Sequence, residues 1–477
     1  MQVGGWLERA AASRPAHPAL VAPAGTLSYQ QLHADARAAA AELAGRGAGP
    51  GARIGIALPA GLDFARALHA CMLLGAPVVP VDLRLSGLER DAILRDCDIA
   101  VGEPLALEGT RRAACATPRD AVGPPVSHDL DATALVMHTS GSSAAPKPVE
   151  LTYGNLLWSA LGSAVALGAR EEERWLCALP LSHMGGLSIL VRSAIYATTA
   201  VVHEQFELDR ALKALREDRV TVVSLVATTL ERLLDAGMER VQTLRCVLLG
   251  GGPVSDSLLE RARAAGIPVA LTYGLTEACS QVATTPVAAL APDAHTEPGA
   301  AAAAGGAAAA AADGVRRAVP PLFCTRVRIA PDGEILVRGP TVAHAALAPD
   351  GWLHTGDLGQ LDEHGWLSVR GRRAETIISG GENVAPAEVE SVLESHPRVL
   401  EAGVFGVEDR QWGEAVNAVV VLRGKGDGDG AEPPTVEELR AHCARSLAPY
   451  KVPKRISLSP QPLPRTRSGK LLRRELR

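Results

Sequence analysis

Short aliphatic runs alternate with segments of helical periodicity over more than half of this chain. Residues 53–58 and 78–81 have the pattern of buried strands, and residues 64–74 between them carry apolar side chains at helical spacing. Similar strand-like runs follow later in the chain: Trp175–Pro180, Val220–Leu225, Cys246–Leu249 and Val269–Thr272. Strands separated by helices pair in parallel, so the sequence predicts α/β layers around parallel sheets. Ligands bind such sheets at the carboxyl ends of the strands.

The length and composition narrow the class of protein. A chain of 477 residues is too long to fold around a single ordinary hydrophobic core, so we expect at least two domains. The aromatic share is only 3%, so aliphatic cores are expected, and the net charge of -5 argues against a nucleic-acid or membrane-surface protein. Eight scattered cysteines, with no C-x-x-C pair and no histidine cluster, indicate neither zinc nor a disulfide framework. We expect a cytoplasmic location, since no leader-like start or membrane-spanning run is present.

A loop rich in hydrogen-bond donors follows the apolar run Ala134–Met137. It contains Thr139, Ser140, Gly141, Ser142, Ser143 and Lys147, and no carboxylate. Thr152 and Asn155 have the spacing of a helix cap, so the pattern predicts a strand, then the loop, then a helix. Backbone N–H groups, hydroxyls and a lysine in one loop suit a polyphosphate. An ordinary polar turn fits the same residues.

The character of the chain changes towards its end. Residues 325–369 predict strands joined by Asp-Gly and His-Gly turns, and residues from 373 onward predict a small α+β unit. Residues 300–312 are almost all alanine, and we assign them no function. We therefore predict an α/β protein with two domains. Residues 1–372 form a large domain with parallel-sheet layers and a β-rich subdomain, and residues 373–477 form the small α+β domain.

Six short motifs occur in order along the chain: Thr139-Ser140-Gly141 with Lys147, Tyr273-Gly274-Leu275-Thr276-Glu277, Thr355-Gly356-Asp357, Gly371-Arg372, Gly380-Gly381-Glu382-Asn383 and Gly469-Lys470. Their order and spacing resemble the adenylate-forming superfamily of acyl-CoA synthetases, peptide-synthetase adenylation domains and luciferases. Residues 175–196 and 245–253, with Ser280-Gln281, more closely resemble the o-succinylbenzoate:CoA ligases of menaquinone biosynthesis. The resemblance implies an AMP-forming ligase for an aryl carboxylic acid, with Mg²⁺ as cofactor and ATP and CoA as co-substrates.

The resemblance also implies a role for each motif in binding ATP. The β- and γ-phosphates would be held by Thr139, Ser140, Ser142, Ser143 and Lys147, around Gly141. Thr276 would bind the α-phosphate and Glu277 the Mg²⁺ that bridges the phosphates. Asp357 would accept both ribose hydroxyls with help from Arg372. Adenine would lie between Tyr273 and the glycines Gly250, Gly251 and Gly252, and Gly274 would also belong to the nucleotide site; a tight strand-to-helix turn with a core tyrosine is the alternative.

Lys470 would act in the first half-reaction, where a cation can stabilise charge that builds up in the transition state. In the family the C-terminal domain is mobile, and its rotation would bring Gly380 and Gly381 to the channel for the CoA thiol. The usual polar hinge residue is Ala374 here. Ala144 and Pro148 replace glycines that are usual in the phosphate loop, which predicts a weaker or less mobile grip on phosphate.

The acyl group would lie near the segment after residue 180. His183 would gate the acyl pocket as part of the catalytic set, with a core histidine as the alternative. A second carboxylate on the acid would require a cation and donors, and the candidates are Ser188, Arg192, Thr228 and Gln281. Ser188 and Arg192 are four residues apart and share a helix face. A surface or interface position is the alternative for Arg192.

Other functions fit part of this pattern. One alternative is another acyl-CoA synthetase or a carrier-protein-loading adenylation enzyme. Another is a catalytically silenced adenylate-binding protein, which Ala144 and Pro148 would allow and which Glu277, Asp357 and Lys470 argue against. A P-loop NTPase is disfavoured because the Gly-x-x-x-x-Gly-Lys-Ser/Thr pattern is absent from the loop. We predict no nucleic-acid or membrane partner and leave a homo-oligomer open.

Overall fold

The computed structural model describes residues 1–106, 126–139, 147–290, 318–379, 382–409, 412–423, 433–447, 449–466 and 471–476. The α-helices in these ranges are Trp6–Ser13, Tyr29–Gly45, Leu62–Leu74, Gly87–Leu94, Tyr153–Leu167, Met184–Tyr196, Leu208–Glu217, Ala227–Asp235, Asp256–Ala264, Pro386–Glu394 and Val436–Ser446. Short 3-10 helices span Thr276–Ala278, Val287–Leu290, His344–Ala346, Arg373–Glu375 and Arg473–Glu475. No helix in the described ranges is long and apolar enough to cross a membrane.

The largest sheet has eight strands, and its inner pairings are parallel as the sequence predicted. In spatial order the strands are Ser280–Thr284, Val269–Leu275, Cys246–Leu249, Val222–Leu225, Arg174–Cys177, Thr199–Val202, Pro18–Ala22 and Gly25–Ser28. The first and last of these run antiparallel to their neighbours. All four residues of Val222–Leu225 and of Cys246–Leu249 are buried, which is typical of parallel strands covered on both faces.

A second sheet of five strands lies nearby, with strands in the order Ile99–Val101, Ile54–Ile56, Val78–Pro80, Thr133–Thr139 and Lys147–Thr152. The first four run parallel and the last is antiparallel to its neighbour. The helices Tyr29–Gly45 and Leu62–Leu74 pack against each other in the core that this sheet shares with the eight-stranded sheet. Gln2–Gly4 pairs with Ser127–Asp129 in a separate antiparallel sheet of two strands.

The β-rich region is an antiparallel sheet with strands Arg326–Ile329, Glu334–Arg338, Leu353–Leu361 and Leu367–Arg372 in that order. It has its own apolar core, which includes Ile335, Val337 and Leu367. Tyr273 and Leu275 of the eight-stranded sheet pack against that core. This contact brings the end of the strand Val269–Leu275 next to the antiparallel sheet.

The last part of the chain forms a further α+β unit. Its strands are Ile377–Ser379, Glu382–Val384, Val399–Asp409, Gly413–Leu422 and Arg455–Ser459. The helices Pro386–Glu394 and Val436–Ser446 pack on this sheet around a separate core. The fold class predicted from the sequence is confirmed: parallel α/β layers, a β-rich subdomain and a small α+β unit.

The connection beyond the donor-rich loop differs from the prediction. A strand, Lys147–Thr152, intervenes between the loop and the helix Tyr153–Leu167, so the loop joins two antiparallel strands. Val149 and Leu151 are buried while Lys147 and Glu150 are exposed, and this alternation is the signal for a strand. The loop therefore does not lead into a helix N-terminus, and the helix-dipole part of the phosphate argument does not apply to it.

Candidate active site

The glycines 250–252 directly follow the parallel strand Cys246–Leu249. A Cβ atom on Gly250 would lie 2.7 Å from Thr272 Cγ2 and 2.9 Å from the Thr272 carbonyl oxygen, so the neighbouring strand leaves no room for a side chain. Gly251 has φ +85°, which favours glycine. A Cβ on Gly252 would meet no atom within 4 Å. Packing and backbone conformation thus account for the first two glycines, and open space beside the third leaves room for a ligand.

Asp357 is the centre of a polar cluster at the junction of two sheets. Tyr273 Oη donates to Asp357 Oδ2 at 2.8 Å, and Arg372 Nε lies 2.9 Å from Asp357 Oδ1. Asp357 and Arg372 are cross-strand partners, and the Asp357 residue is only 6% exposed. Burial and the nearby carboxylate raise the pKa of Tyr273, so its hydroxyl remains a neutral donor. A buried carboxylate with two defined donors is preorganised to accept further hydroxyl donors.

Thr276 and Glu277 occupy a sharp reversal between two strands. The 3-10 helix Thr276–Ala278 is followed by Cys279 and Ser280 with φ of 54° and 95°. A Cβ on Gly274 would lie 1.7 Å from the Ser280 carbonyl oxygen, so the register shift at this position requires glycine. The structure therefore gives Gly274 a backbone role.

The donor-rich loop starts close to this reversal. The strand Lys147–Thr152 lies beside the 3-10 helix Thr276–Ala278. Thr139 Oγ1 donates to the Lys147 carbonyl oxygen at 3.3 Å, which closes the base of the loop, and Lys147 is exposed. Mg²⁺ is commonly held by one or two carboxylates together with substrate phosphates. Glu277, on the 3-10 helix beside the strand Lys147–Thr152, fits that pattern.

Several predicted site residues lie outside the described residues: Ser140, Gly141, Ser142, Ser143, Gly380, Gly381 and Lys470, together with Ala144. The backbone of Ala374 is described as part of the 3-10 helix Arg373–Glu375. The roles expected for the seven site residues remain predictions.

His183 precedes the helix Met184–Tyr196 and is exposed, contrary to the alternative of a core histidine. Its Nε2 lies 3.3 Å from Arg84 Nη2. Arg84 also donates to Asp82 from Nε at 2.8 Å and from Nη2 at 2.6 Å. Desolvation by surrounding protein atoms and the Arg84 charge lower the pKa of His183, so the neutral imidazole can accept from the guanidinium.

Arg192 is buried, with 2% of its surface exposed, so the alternative of a surface position is wrong. Its Nη2 donates to Ser159 Oγ at 3.0 Å, and its guanidinium carbon lies 5.7 Å from the centre of the Trp175 ring. No described residue accepts from Arg192 Nε, and no described carboxylate pairs with this side chain. Burial lowers the pKa of Arg192, because the charged guanidinium is poorly solvated there.

Two other predicted acyl-site residues also have buried polar atoms that lack a hydrogen-bond partner among the described residues. Within the described ranges, Ser188 Oγ and Gln281 Oε1 have no hydrogen-bond partner, and both residues are at most 3% exposed. The helix that carries Ser188 packs against the strand Ser280–Thr284 that carries Gln281. Gln281 Nε2 donates to Thr284 Oγ1 at 2.9 Å. Thr228 is half-buried in the helix Ala227–Asp235. Buried polar groups usually have partners, so these orphaned atoms favour a ligand-binding role.

Several residues that were not predicted from the sequence as part of the site contact the predicted ones and support them. Trp175 and Ser159 contact Arg192, Arg84 contacts His183, and Glu334 contacts the backbone of the Thr355–Asp357 motif. Ser159 and Arg192 come from different helices, and Glu334 is about twenty residues from the motif. Local periodicity carries no signal for such contacts, although an acidic residue at the start of a buried strand was visible in the sequence.

The whole chain was compared with known proteins. The AMP-binding enzyme model matches residues 7–102 and 102–345, and the AMP-binding enzyme C-terminal domain model matches residues 388–470. The chain belongs to the AMP-binding enzyme family. The resemblance noted in the sequence is thereby confirmed.

Curated relatives within this family are similar over nearly their full length. The 2-succinylbenzoate–CoA ligase of Bacillus subtilis is 36% identical, with 99% of this chain and 97% of the relative covered. The ligase of the same name from Geobacillus kaustophilus is 39% identical with the same coverage. A solved o-succinylbenzoate CoA synthetase from Bacillus subtilis, in complex with the acyl-adenylate intermediate OSB-AMP, has a TM-score of 0.82 at 35% identity and covers 100% of this chain and 98% of its own.

Proposed function

We propose that this protein is a 2-succinylbenzoate:CoA ligase, which activates the acid with Mg²⁺ and ATP and transfers the acyl group to CoA. Its full-length similarity to ligases of that name supports the reaction. A B. subtilis relative of 34% identity has been solved in complex with ATP and magnesium ion. Among the features of the site, Arg192 supports the choice of acid, because it is buried and has no carboxylate partner among the described residues.

In the first half-reaction a carboxylate oxygen of the acid attacks the α-phosphorus of ATP, and pyrophosphate leaves. Attack of one anion on another requires charge neutralisation and in-line positioning. Glu277 would hold the Mg²⁺, which would supply charge neutralisation at the phosphates. Asp357 orients the ribose, and Tyr273 and Arg372 hold the Asp357 carboxylate. Thr139, Thr276 and Lys147 surround the phosphates, and Lys470 stabilises the charge that develops at the reacting centre.

In the second half-reaction the sulfur of CoA attacks the acyl carbon and AMP leaves. The thiol must approach the carbonyl from a side that Lys470 occupied before. Rotation of the C-terminal domain, residues 373–477, would remove Lys470 and bring Gly380 and Gly381 to the thiol channel. His183, held by Arg84, gates the acyl pocket.

Burial of Arg192 costs free energy that a ligand can recover. A buried cation without an anion is unfavourable, and a ligand carboxylate would remove that penalty. Ser188 and Gln281 provide further polar atoms that lack partners among the described residues. 2-Succinylbenzoate has two carboxylates, so one can be activated while the other binds Arg192. We also predict a cytoplasmic location and a possible homo-oligomer, with no nucleic-acid or membrane partner.

The function is tested by incubating the protein with Mg·ATP, CoA and 2-succinylbenzoate, and in parallel with benzoate and medium-chain fatty acids. AMP and the acyl thioester are measured in each reaction. We expect both products from 2-succinylbenzoate. Turnover of fatty acids alone would show a different acyl-CoA synthetase, and ATP binding without AMP formation from any acid would favour an adenylate-binding protein.

The role of Arg192 is tested with Arg192→Met and with 3-benzoylpropionate, the same keto acid without the ring carboxylate. We expect wild type to prefer 2-succinylbenzoate, and Arg192→Met to reduce that preference about tenfold or more because a buried charge pair is lost. Trp175→Phe, which keeps a ring under the guanidinium, serves as the control and should retain the preference. An unchanged preference in Arg192→Met would contradict the role.

The division of labour between the two half-reactions is tested with Lys470→Ala. Adenylation should be abolished, whereas thioester formation from preformed acyl-adenylate should persist, because Lys470 stabilises charge only in the first step. The two steps are measured separately by pyrophosphate exchange and by release of AMP from the adenylate. Equal loss of both steps would contradict the proposed role.

A further inference from the structure

The motif Thr355–Asp357 is an irregular stretch within a strand. Glu334 pairs with Leu358, whereas Leu336 pairs with His354, so the strand that contains the motif has extra residues at this point. Gly356, at the centre of the motif, has φ +70°. Such a bulge re-aims the side chains next to it, and here the next residue is Asp357. The direction of the Asp357 carboxylate therefore depends on what holds the bulge.

Side chains bind the backbone N–H groups of the bulge. The N–H of Gly356 donates to Glu334 Oε1 at 2.8 Å. The N–H of Asp357 donates to Thr355 Oγ1 at 3.1 Å, and the Thr355 hydroxyl donates to the Ile335 carbonyl oxygen at 2.7 Å. A charged acceptor for a backbone N–H makes a stronger hydrogen bond than a neutral one. Glu334 thus closes the bulge directly behind Asp357.

The other oxygen of Glu334 is also held. His354 Nδ1 lies 3.1 Å from Glu334 Oε2, and Arg373 Nη1 lies 3.8 Å from the same atom. Arg373 is anchored in turn by Asp332 at 2.8 Å. Only 9% of the Glu334 side chain is exposed, so its charge requires these partners. Both carboxylate oxygens are fixed, which leaves Glu334 with little freedom to move.

We propose that Glu334 is a positioning residue for the ribose of the nucleotide. It fixes the bulge in the strand Leu353–Leu361, and the bulge aims Asp357 at the ribose hydroxyls. The inference rests on the proposed function, in which Asp357 accepts those hydroxyls. Glu334 itself contacts the backbone of Gly356 and would act on the ribose through Asp357.

The readout is the preference for ATP over 2′-deoxy-ATP and 3′-deoxy-ATP in the adenylation step. A carboxylate that is correctly aimed at both hydroxyls discriminates against a nucleotide that lacks one of them. Glu334→Ala removes the acceptor for Gly356 and should reduce this preference about fivefold or more, mainly through KM for ATP. Glu334→Gln retains an oxygen for the Gly356 N–H and should keep most of the preference.

Thr325→Val is the matched control. Thr325 is buried next to the same sheet, and its hydroxyl donates to the Val282 and Leu322 carbonyl oxygens at 2.7 and 3.1 Å, neither of which belongs to the bulge. This variant should lower Tm without changing the ribose preference. A preference lost equally in Thr325→Val and Glu334→Ala would show a merely structural role for Glu334.

Asp357→Asn tests the ribose role of Asp357 separately from the positioning role of Glu334. If wild type and Asp357→Asn discriminate equally between the nucleotides, the ribose role of Asp357 fails. If Asp357→Asn loses the preference while a folded Glu334→Ala keeps it, only the positioning role of Glu334 is overturned. If both variants lose the preference and the double variant loses no more than Asp357→Asn alone, Glu334 acts through Asp357.

Discussion

At the scale of single residues, Glu394 has an unusual environment in the C-terminal unit. Burial and the neighbouring Glu390 carboxylate raise the pKa of Glu394 to about 8. The N–H of Ala402 donates to Glu394 Oε1 at 3.3 Å and favours the charged form, but it does not offset the other effects. The folded protein therefore holds a proton on Glu394 at pH values where the unfolded chain has released it.

This proton makes stability depend on pH. Between the unfolded value of 4.5 and about 8 the folded state binds more protons, so the free energy of unfolding should fall as pH rises through that window. One proton corresponds to at most about 1.4 kcal/mol per pH unit. Glu394→Gln should flatten the dependence, as measured by denaturant unfolding between pH 5 and 8. Glu217→Gln, an exposed position, is the control, and an equal slope in wild type and Glu394→Gln would refute the assignment.

At the scale of elements, the hairpin formed by Thr133–Thr139 and Lys147–Thr152 changes how Pro148 is interpreted. From the sequence, Pro148 predicts a poorer phosphate loop. In the structure it pairs with His138 on a strand at the edge of the five-stranded sheet, and edge strands tolerate proline. Lys147 is already extended as part of this strand, so proline imposes a conformation that the hairpin requires.

We therefore expect Pro148→Gly to change little. Adenylation, measured by pyrophosphate exchange, should remain within about threefold of wild type, a difference of ~0.6 kcal/mol. Glycine in a strand costs about 0.5–1 kcal/mol, so a small decrease in Tm is expected. Ala144→Gly, at the other unusual position, is measured alongside. A tenfold gain in activity from Pro148→Gly alone would show that proline restrains the loop after all.

At the scale of the whole molecule, Arg473 links three parts of the C-terminal unit. It contacts Glu390 Oε2 at 2.7 Å and also binds Glu375, which lies next to the predicted domain boundary. Its own segment is held by the N–H of Leu472, which donates to the Pro464 carbonyl oxygen at 2.8 Å. Arg473 follows Lys470 by three residues, so it anchors the chain just after the predicted catalytic lysine.

Arg473→Met should weaken this anchor. The Arg473 side chain is 14% exposed, so loss of its charged hydrogen bonds should lower the free energy of unfolding by about 1.5–3 kcal/mol. Adenylation should fall at least about tenfold because Lys470 is less well placed. Arg474→Met, at an exposed neighbouring position, should stay within about twofold in the same assays. The measurements are pyrophosphate exchange and unfolding by denaturant. Equal effects of the two substitutions would exclude a specific role for Arg473.

Local sequence signals predicted the large elements of this molecule well. The cap at Thr152 and Asn155 is confirmed as a reciprocal capping box, and the buried strands Val222–Leu225 and Cys246–Leu249 lie where aliphatic runs predicted them. These signals act between residues that are close in the chain, so the sequence contains them directly. The strand Lys147–Thr152 was missed although its alternation was present.

The candidate site, too, was predicted from the sequence only in part. Motif order identified Asp357, Tyr273 and Arg372 as residues of interest, and the sequence alone established the family and the fold class. Only the tertiary structure shows that the three side chains meet, that Arg192 is buried with no carboxylate beside it in the described ranges, and that Glu334 closes the bulge behind Asp357. Such contacts depend on strand register, bulges and the packing of one sheet against another. These are properties of the assembled chain, and no local pattern encodes them.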